Sequence, residues 1–242
     1  MKPEHLKKLI DDHREAAGGP PAPGDPSSEF KGWYSSAQLP HFDAPGTIQF
    51  LTYRLADAMP AERRHEWAAF AAIKDDIQRR IKQEDYLDRG LGACHLRDPR
   101  IAGLVQENLW HHDGIKYRLH AWVIMPNHLH ALLEFWNVPL GDVLKSLKSY
   151  TSKKANQLLG RRGTFWLDDY FDRYIRDNEH LRKVVRYIEN NPVKAGLTRT
   201  PEAWQWTSAR YRGEPGPVVP VLTHPTAKRT QPSPPQLPLP PP

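Results

Sequence analysis

The stretch from Tyr117 to Phe135, YRLHAWVIMPNHLHALLEF, decides the fold of this chain. It contains two apolar runs joined at Met125-Pro126-Asn127, and each run has the length of a β-strand. A Pro-Asn pair between such runs is typical of a turn and not of a continuing helix. The stretch therefore predicts a β-hairpin inside a sheet.

Two histidines, His128 and His130, lie in the second predicted strand. Because side chains alternate faces along a strand, both imidazoles leave the sheet on one side, while Leu129 enters the other. Neutral imidazoles bind divalent metals, so the pair can supply half of a metal site. With 12 histidines in 242 residues, roughly 0.6 such pairs arise by chance, so two histidines on a solvated sheet face stay an open alternative.

Length and composition favour one folded domain, with a segment at each end of the chain that does not join its core. The 242 residues can hold one sizeable core or two small ones, and 24 prolines indicate that part of the chain is unpacked. We expect a short helix and a Gly/Pro/Ser linker over residues 1–28, a folded domain over 29–211 and a disordered Pro-rich tail over 212–242.

Cysteine usage and hydropathy bear on the compartment. The single cysteine, Cys94, excludes an internal disulfide and a multi-cysteine zinc cluster, which fits a reducing cytoplasm. The N-terminus carries charges where a secretory signal is continuously apolar, and no apolar run of membrane length is present. The sequence therefore predicts a cytoplasmic protein without membrane contact.

Positive charge is concentrated in one block of the chain. Between Lys145 and Arg186, eleven Lys or Arg stand against five Asp or Glu, which accounts for the whole formal charge of +6. Such a block near a metal site favours a polyanionic partner, most simply nucleic acid. We expect DNA contacts from Lys145, Lys148, Arg173 and Arg176; a solvated helix face is the alternative.

Periodicity and capping signals place the other elements. A loop is predicted over residues 32–46, strands over 47–55 and 171–176, and helices over 61–88, 98–114, 139–159 and 177–191. The last helix is expected to end at Asn190 or Asn191, because Pro192 disfavours helical geometry in the residue before it. The order strand, helix, hairpin, helix, strand predicts a ferredoxin-like α+β fold: an antiparallel sheet with helices on one face, plus an additional helix.

Four blocks in this order resemble the REP-associated tyrosine transposases, which belong to the single-tyrosine HUH transposases of bacterial insertion sequences. The blocks, within residues 32–211, are GWYSSAQLPHFDAPGTIQFLTYRLAD, YRLHAWVIMPNHLHALLE, GTFWLDDYFDRYIRD and RYIENNPVKAGL. The resemblance implies a metal-dependent transposase that cleaves and rejoins single-stranded DNA at hairpin-flanked sites through a covalent 5′-phosphotyrosine.

The same resemblance implies the residues of the site. Tyr187 is the expected nucleophile, and His128, His130 and Asn191 are the expected ligands of Mg²⁺ or Mn²⁺. Tyr150 is a rival nucleophile for which packing is the leading explanation, and no residue stands out as a general base. A domesticated hairpin-DNA-binding protein that does not cut and a nuclease in which water attacks are alternatives. Whether one chain or a homodimer completes the site stays open.

Overall fold

A computed structural model describes residues 30–36, 39–136 and 138–212. The predicted helix within residues 1–28, the linker after it and the tail beyond residue 212 lie outside this part of the chain. The strands are β1 Gly32–Ser36, β2 Leu39–Asp43, β3 Ile48–Arg54, β4 Tyr117–Ile124, β5 His128–Phe135 and β6 Phe171–Tyr174. The α-helices are α1 Arg64–Ala71, α2 Asp76–Asp88, α3 Pro99–His112, α4 Leu140–Leu158 and α5 Asn178–Lys194. Of the helices in these ranges, none has the length and hydropathy to cross a membrane.

The main sheet has four antiparallel strands in the order β4-β5-β3-β6. Along the chain, the elements of this unit follow one another as β3, α3, β4, β5, α4 and β6. This order and strand arrangement is the ferredoxin-like fold. The predicted fold class and the predicted central hairpin are confirmed.

Side-chain alternation along β5 divides the core between the two faces of the sheet. Leu129, Ala131 and Leu133 join the core that α3 and α4 cover. On the other face, Leu132 joins a second core formed with α5. His128 and His130 share the face of Leu132, so α5, the additional helix of the prediction, packs on the side of the histidine pair.

The amphipathic pattern of α5 explains why it packs there. Its buried positions include Leu181, Val185 and Ile188, spaced four and three residues apart along one stripe. The Asp177 carboxylate accepts a hydrogen bond from the His180 N–H at 2.7 Å and caps the helix N-terminus. The predicted start of the helix is confirmed.

The predicted end of this helix at Asn190 or Asn191 is wrong, because α5 continues through Pro192 to Lys194. Proline lacks the N–H that would close one helical hydrogen bond, but the turn after it is completed by other donors. The Ala195 N–H donates to the Asn191 carbonyl at 2.9 Å, and the Leu197 N–H donates to the Pro192 carbonyl at 2.9 Å.

The prediction of one continuous helix over residues 61–88 is also wrong. α1 ends at Ala71, and α2 begins at Asp76. Between them, Asp75 has an extended backbone, and its carboxylate accepts a hydrogen bond from the Gln78 N–H at 2.8 Å. This N-cap starts a separate helix, which brings α2 to the side of the sheet where the histidines lie.

Within the segment 32–46, which was predicted as a loop, the strands β1 and β2 pair with each other in antiparallel orientation. The buried side chain of His41 attaches this pair of strands to β6, since its Nδ1 hydrogen-bonds to Asp172 and its Nε2 lies 3.7 Å from Asp169. Burial lowers the pKa of His41, but the two carboxylates more than offset it and raise the pKa to about 9. His41 is therefore an imidazolium at neutral pH.

Candidate metal and nucleophile site

His128 and His130 lie side by side on β5. Their ring centroids are 4.8 Å apart, and their side chains are buried. Burial lowers the pKa of His128 well below its usual value and lowers that of His130 to about 3. Both imidazoles are therefore neutral at physiological pH, with lone pairs available to a metal ion.

Neighbouring side chains occupy the Nδ1 atoms of both rings. His128 Nδ1 donates to Asn127 Oδ1 at 2.8 Å, and Asn127 Nδ2 donates in turn to the Leu91 carbonyl at 3.0 Å. His130 Nδ1 pairs with the Thr52 hydroxyl at 2.8 Å. An amide oxygen can only accept, so Asn127 places the proton of His128 on Nδ1 and leaves the Nε2 lone pair free. Metal-binding histidines are commonly oriented in this way.

The buried polar atoms without a hydrogen-bond partner among the described residues include three at this site: His128 Nε2, His130 Nε2 and Asn191 Oδ1. Buried polar atoms are normally satisfied, so these three orphaned atoms on one face of the sheet are candidates for binding an ion. Two imidazole nitrogens and an amide oxygen suit a divalent cation, and the residues present fit such an ion. In the described part of the chain, no group of three or more His, Cys, Asp or Glu side chains is already spaced to hold a metal ion.

α5 brings Tyr187 against the histidine pair. The ring centroid of Tyr187 lies 5.6 Å from that of His130 and 5.8 Å from that of Phe50. One turn later on the same helix, Asn191 Nδ2 donates to the Tyr187 phenol oxygen at 3.3 Å. The structure thus places His128, His130, Tyr187 and Asn191 next to one another within one chain, an arrangement that the sequence analysis had left open between one chain and a homodimer.

Glu84, on α2, is a member of the site that sequence reasoning missed. Its carboxylate lies close enough to the Tyr187 phenol for each group to shift the pKa of the other. Burial raises the pKa of Glu84, while burial and the adjacent Glu84 charge raise the pKa of Tyr187. The phenol is therefore protonated at neutral pH, and Glu84 is placed to accept its proton.

Asp88, one turn beyond Glu84, is the second acidic residue that was missed. Its Oδ1 lies 3.9 Å from His128 Nε2, and its side chain is 10% exposed. Lys194 of α5 pairs with Asp85 at 2.8 Å and with Asp88 Oδ2 at 3.2 Å, which joins α2 to α5. Glu84 and Asp88 are four residues apart, and like charges at this spacing on a helix repel each other. This unfavourable spacing is the sequence signal that could have pointed to the two residues.

Two of the predicted DNA contacts lie on the face of the site. Arg173 of β6 and the exposed Arg176 lie near Arg80 of α2, which sequence reasoning did not single out. Burial lowers the pKa of Arg173, and the positive charges of Arg80 and Arg176 lower it further. The Arg80 guanidinium also lies 5.5 Å from the ring centroid of Phe171. We call Arg80, Arg173 and Arg176 the arginine cluster.

The other two predicted contacts lie on α4, across the sheet from the histidines. Lys148 Nζ donates to the Leu167 and Asp168 carbonyls at 3.0 Å and 2.9 Å. Burial lowers the pKa of Lys148 to about 8. Lys145 and the rival tyrosine, Tyr150, are exposed on the same helix. The structure does not bring these residues to the site.

Known proteins share part of this sequence. Residues 105–191 match the sequence model of a family described as Transposase IS200 like. A REP-associated tyrosine transposase of Escherichia coli (strain K12) is 28% identical over 92 residues, which cover 38% of this chain and 54% of that protein. An uncharacterized protein of Haemophilus influenzae (strain ATCC 51907 / DSM 11121 / KW20 / Rd) is 26% identical, over 31% of this chain and 54% of that protein. The chain spans about half the length of these curated relatives.

The fold was also compared with solved structures. One match is a REP-associated tyrosine transposase bound to a REP hairpin. It has 15% sequence identity and a TM-score of 0.44, and the match covers 72% of this chain and 84% of that chain.

Proposed function

We propose that this protein is a metal-dependent transposase that cleaves and rejoins single-stranded DNA, because residues 105–191 match the sequence model of the IS200-like transposase family. The observation that carries the proposal is the contact between the Tyr187 ring and His130, whose ring centroids lie 5.6 Å apart within one chain. The name of the Escherichia coli relative supports REP-type hairpin DNA as the substrate.

Three side chains would hold the ion, through His128 Nε2, His130 Nε2 and Asn191 Oδ1. When bound, a Mg²⁺ or Mn²⁺ ion neutralises the non-bridging oxygens of the scissile phosphate, so that a nucleophile can approach it. Thr52 and Asn127 hold the two imidazoles in the orientation that this role requires.

Tyr187 is the proposed nucleophile and Glu84 its proton acceptor. As the phenol oxygen forms a bond to phosphorus, its proton passes to the Glu84 carboxylate, and the bond between phosphorus and the 3′ oxygen breaks. The leaving 3′ oxygen takes a proton from solvent. The products are a 5′-phosphotyrosine and a free 3′-hydroxyl, and attack by such a hydroxyl on the phosphotyrosine rejoins DNA without a nucleotide cofactor.

Glu84 is required because the buried phenol alone is a poor nucleophile. Burial and nearby carboxylates raise the pKa of Tyr187 above its usual value, so few phenolate anions exist at neutral pH. Glu84 removes the proton as the new bond forms, and the Asn191 amide donates to the same phenol oxygen at 3.3 Å and orients it.

The arginine cluster supplies the positive charge that a DNA backbone needs. Arg173 and Arg80 lie close enough for like charges to lower the pKa of Arg173, so the cluster forms a concentrated positive patch. Arg80 also lowers the pKa of Tyr187, which places its charge near the nucleophile. Phosphates next to the scissile bond are therefore expected to contact this cluster.

Covalent trapping tests the proposal. The full chain is incubated with Mn²⁺ and a pool of hairpin oligonucleotides with randomised single-stranded flanks, labelled at either the 3′ or the 5′ end. A 5′-phosphotyrosine retains the downstream fragment, so 3′-labelled DNA should give an adduct that resists denaturation, whereas 5′-labelled DNA should not. Mass spectrometry of the adducted peptide should identify Tyr187.

Two variants separate the alternatives. Tyr187→Phe should abolish the adduct, and Tyr150→Phe, which changes an exposed tyrosine on α4, should leave it intact. An adduct that persists in Tyr187→Phe would refute the nucleophile. Cleavage without any adduct would favour a hydrolytic nuclease, and hairpin binding without cleavage would favour a DNA-binding protein that does not cut.

A further inference from the structure

We propose that Asp88 is a fourth protein ligand of the divalent ion and binds it through Oδ1, beside His128 Nε2. This inference rests on the metal site of the proposed function and adds a carboxylate to its two imidazoles and one amide. Asp88 ends α2, an element that the resemblance between the sequences does not include among its four blocks.

The distance between the two donor atoms fits a shared ion. With bonds of about 2.1 Å to each atom, two ligands of one ion lie about 3.0 Å apart at a right angle and at most about 4.2 Å apart. Asp88 Oδ1 and His128 Nε2 are 3.9 Å apart, which is inside this range. The same distance is too long for a direct hydrogen bond between them.

The contact has no other source of attraction. The proton of His128 is on Nδ1, where Asn127 accepts it, so the Nε2 lone pair faces a carboxylate oxygen. Within the described residues, neither Asp88 Oδ1 nor His128 Nε2 has a hydrogen-bond partner, whereas Asp88 Oδ2 pairs with Lys194. A cation between the two acceptors would satisfy both.

Local electrostatics point the same way. Asp88 is the last residue of α2, where the helix dipole disfavours negative charge. It also follows Glu84 by four residues, a spacing that disfavours two carboxylates. Lys194 offsets part of the negative charge of Asp88, but it lies closer to Asp85, at 2.8 Å, than to Asp88, at 3.2 Å. A divalent ion next to Asp88 Oδ1 would neutralise the rest of the carboxylate charge.

Mn²⁺ binding to the full chain, measured by isothermal titration calorimetry and by the electron paramagnetic resonance of free Mn²⁺, tests the inference without any DNA cleavage. Asp88→Asn should weaken Mn²⁺ binding at least about tenfold, since even outer-shell changes cost 10- to 100-fold. The variant keeps the side-chain shape, and a thermal melt without metal confirms that it folds.

Two matched variants separate ligation from charge. Asp85→Asn removes a negative charge from the same helix, and that charge also pairs with Lys194, but the Asp85 side chain is 46% exposed. This variant should change Mn²⁺ affinity less than about threefold. Lys194→Gln breaks the ion pair and keeps the carboxylate, so it should bind Mn²⁺ no more weakly than the wild type. If Asp85→Asn weakens binding as much as Asp88→Asn, or if Lys194→Gln does, Asp88 is not a ligand.

His128→Ala separates the failure of this inference from the failure of the metal site. Loss of Mn²⁺ binding in His128→Ala, with wild-type affinity in Asp88→Asn, would overturn only the role of Asp88. A wild-type chain that does not bind Mn²⁺, or binding that survives His128→Ala, would overturn the metal site and the role of Asp88 together.

Discussion

Asn191 touches both halves of the site, because its Nδ2 donates to the Tyr187 phenol oxygen at 3.3 Å while its Oδ1 is one of the orphaned acceptors. The two residues lie one helical turn apart on α5, so the same rigid helix sets the position of the proposed nucleophile and of one proposed ligand. A change at Asn191 is therefore expected to affect metal binding and the reactivity of the phenol together.

Asn191→Ala should weaken Mn²⁺ binding about tenfold and slow DNA cleavage about a hundredfold, because it removes a ligand and the donor that orients the phenol. Mn²⁺ titration and single-turnover cleavage measure the two effects. Asn190→Ala is the matched control, since the Asn190 side chain is exposed and donates only to the Arg186 carbonyl, at 3.0 Å. Equal losses in both variants would contradict the assignment.

Glu84→Gln should slow cleavage by about 10²- to 10⁴-fold, because the amide can still hydrogen-bond to Tyr187 but cannot take its proton. The pH profile is the decisive measurement. Burial raises the pKa of Glu84, so the wild-type rate should rise with pH through that raised value as the carboxylate ionises. The variant should lack this rise and keep normal Mn²⁺ affinity. A variant that retains the wild-type pH profile would exclude Glu84 as the base.

Arg173→Gln should weaken binding of single-stranded DNA and reduce the slope of log affinity against log salt by about 0.7, the value of one lost phosphate contact. Arg173 belongs to the arginine cluster on the face of the site, whereas Lys145 is exposed on the opposite side of the sheet. Lys145→Gln should therefore leave affinity within about twofold. Fluorescence anisotropy at several salt concentrations measures both. A larger effect at Lys145 would place the DNA on α4.

His41 should make the stability of the domain depend on pH in the alkaline range. Its pKa is raised to about 9 in the folded state, against an ordinary value of 6.5, by Asp169 and Asp172 in spite of burial. The stabilisation is thus fully present below about pH 6.5 and is lost as pH rises through 9. At about 1.4 kcal/mol for each pKa unit, a rise from 6.5 to about 9 corresponds to a stabilisation on the order of 3 kcal/mol.

Urea denaturation at several pH values checks this expectation. The free energy of unfolding of the wild-type chain should fall between pH 6.5 and 9, while His41→Gln should be less stable at pH 6.5 and lack most of this fall. His65, which is exposed on α1, provides the control His65→Gln, whose profile should follow the wild type. A wild-type chain whose stability does not change across this range would contradict the buried imidazolium.

Strong local patterns predicted the centre of the fold. Two apolar runs around Met125-Pro126-Asn127 specify a hairpin, and the period of two puts His128 and His130 on one face whatever surrounds them. Their burial, however, depends on α5, which covers that face only in the tertiary structure. Because the period of two in the sequence does not show what covers this face, it could not exclude that the two histidines are solvated.

The errors arose where distant contacts decide local structure. Pro192 is a local signal for a helix end, yet it is buried in α5, and packing on the sheet outweighs one missing hydrogen bond. The segment 32–46 lacks a strong strand pattern, and its pairing depends on His41 reaching Asp172 about 130 residues later. Glu84 and Asp88 carry no local signal that links them to the site, because only the packing of α2 beside α5 brings them there.

Tyr187 contacts the His130 of its own polypeptide, so under the proposed function each molecule carries all of the proposed reactive groups. Genetic complementation between two damaged copies should therefore fail. A mixture of Tyr187→Phe and His128→Ala chains should stay inactive, and recovered cleavage would mean that the tyrosine helix exchanges between molecules. In a cell with two alleles, each damaged at a different one of these positions, neither product could repair the other.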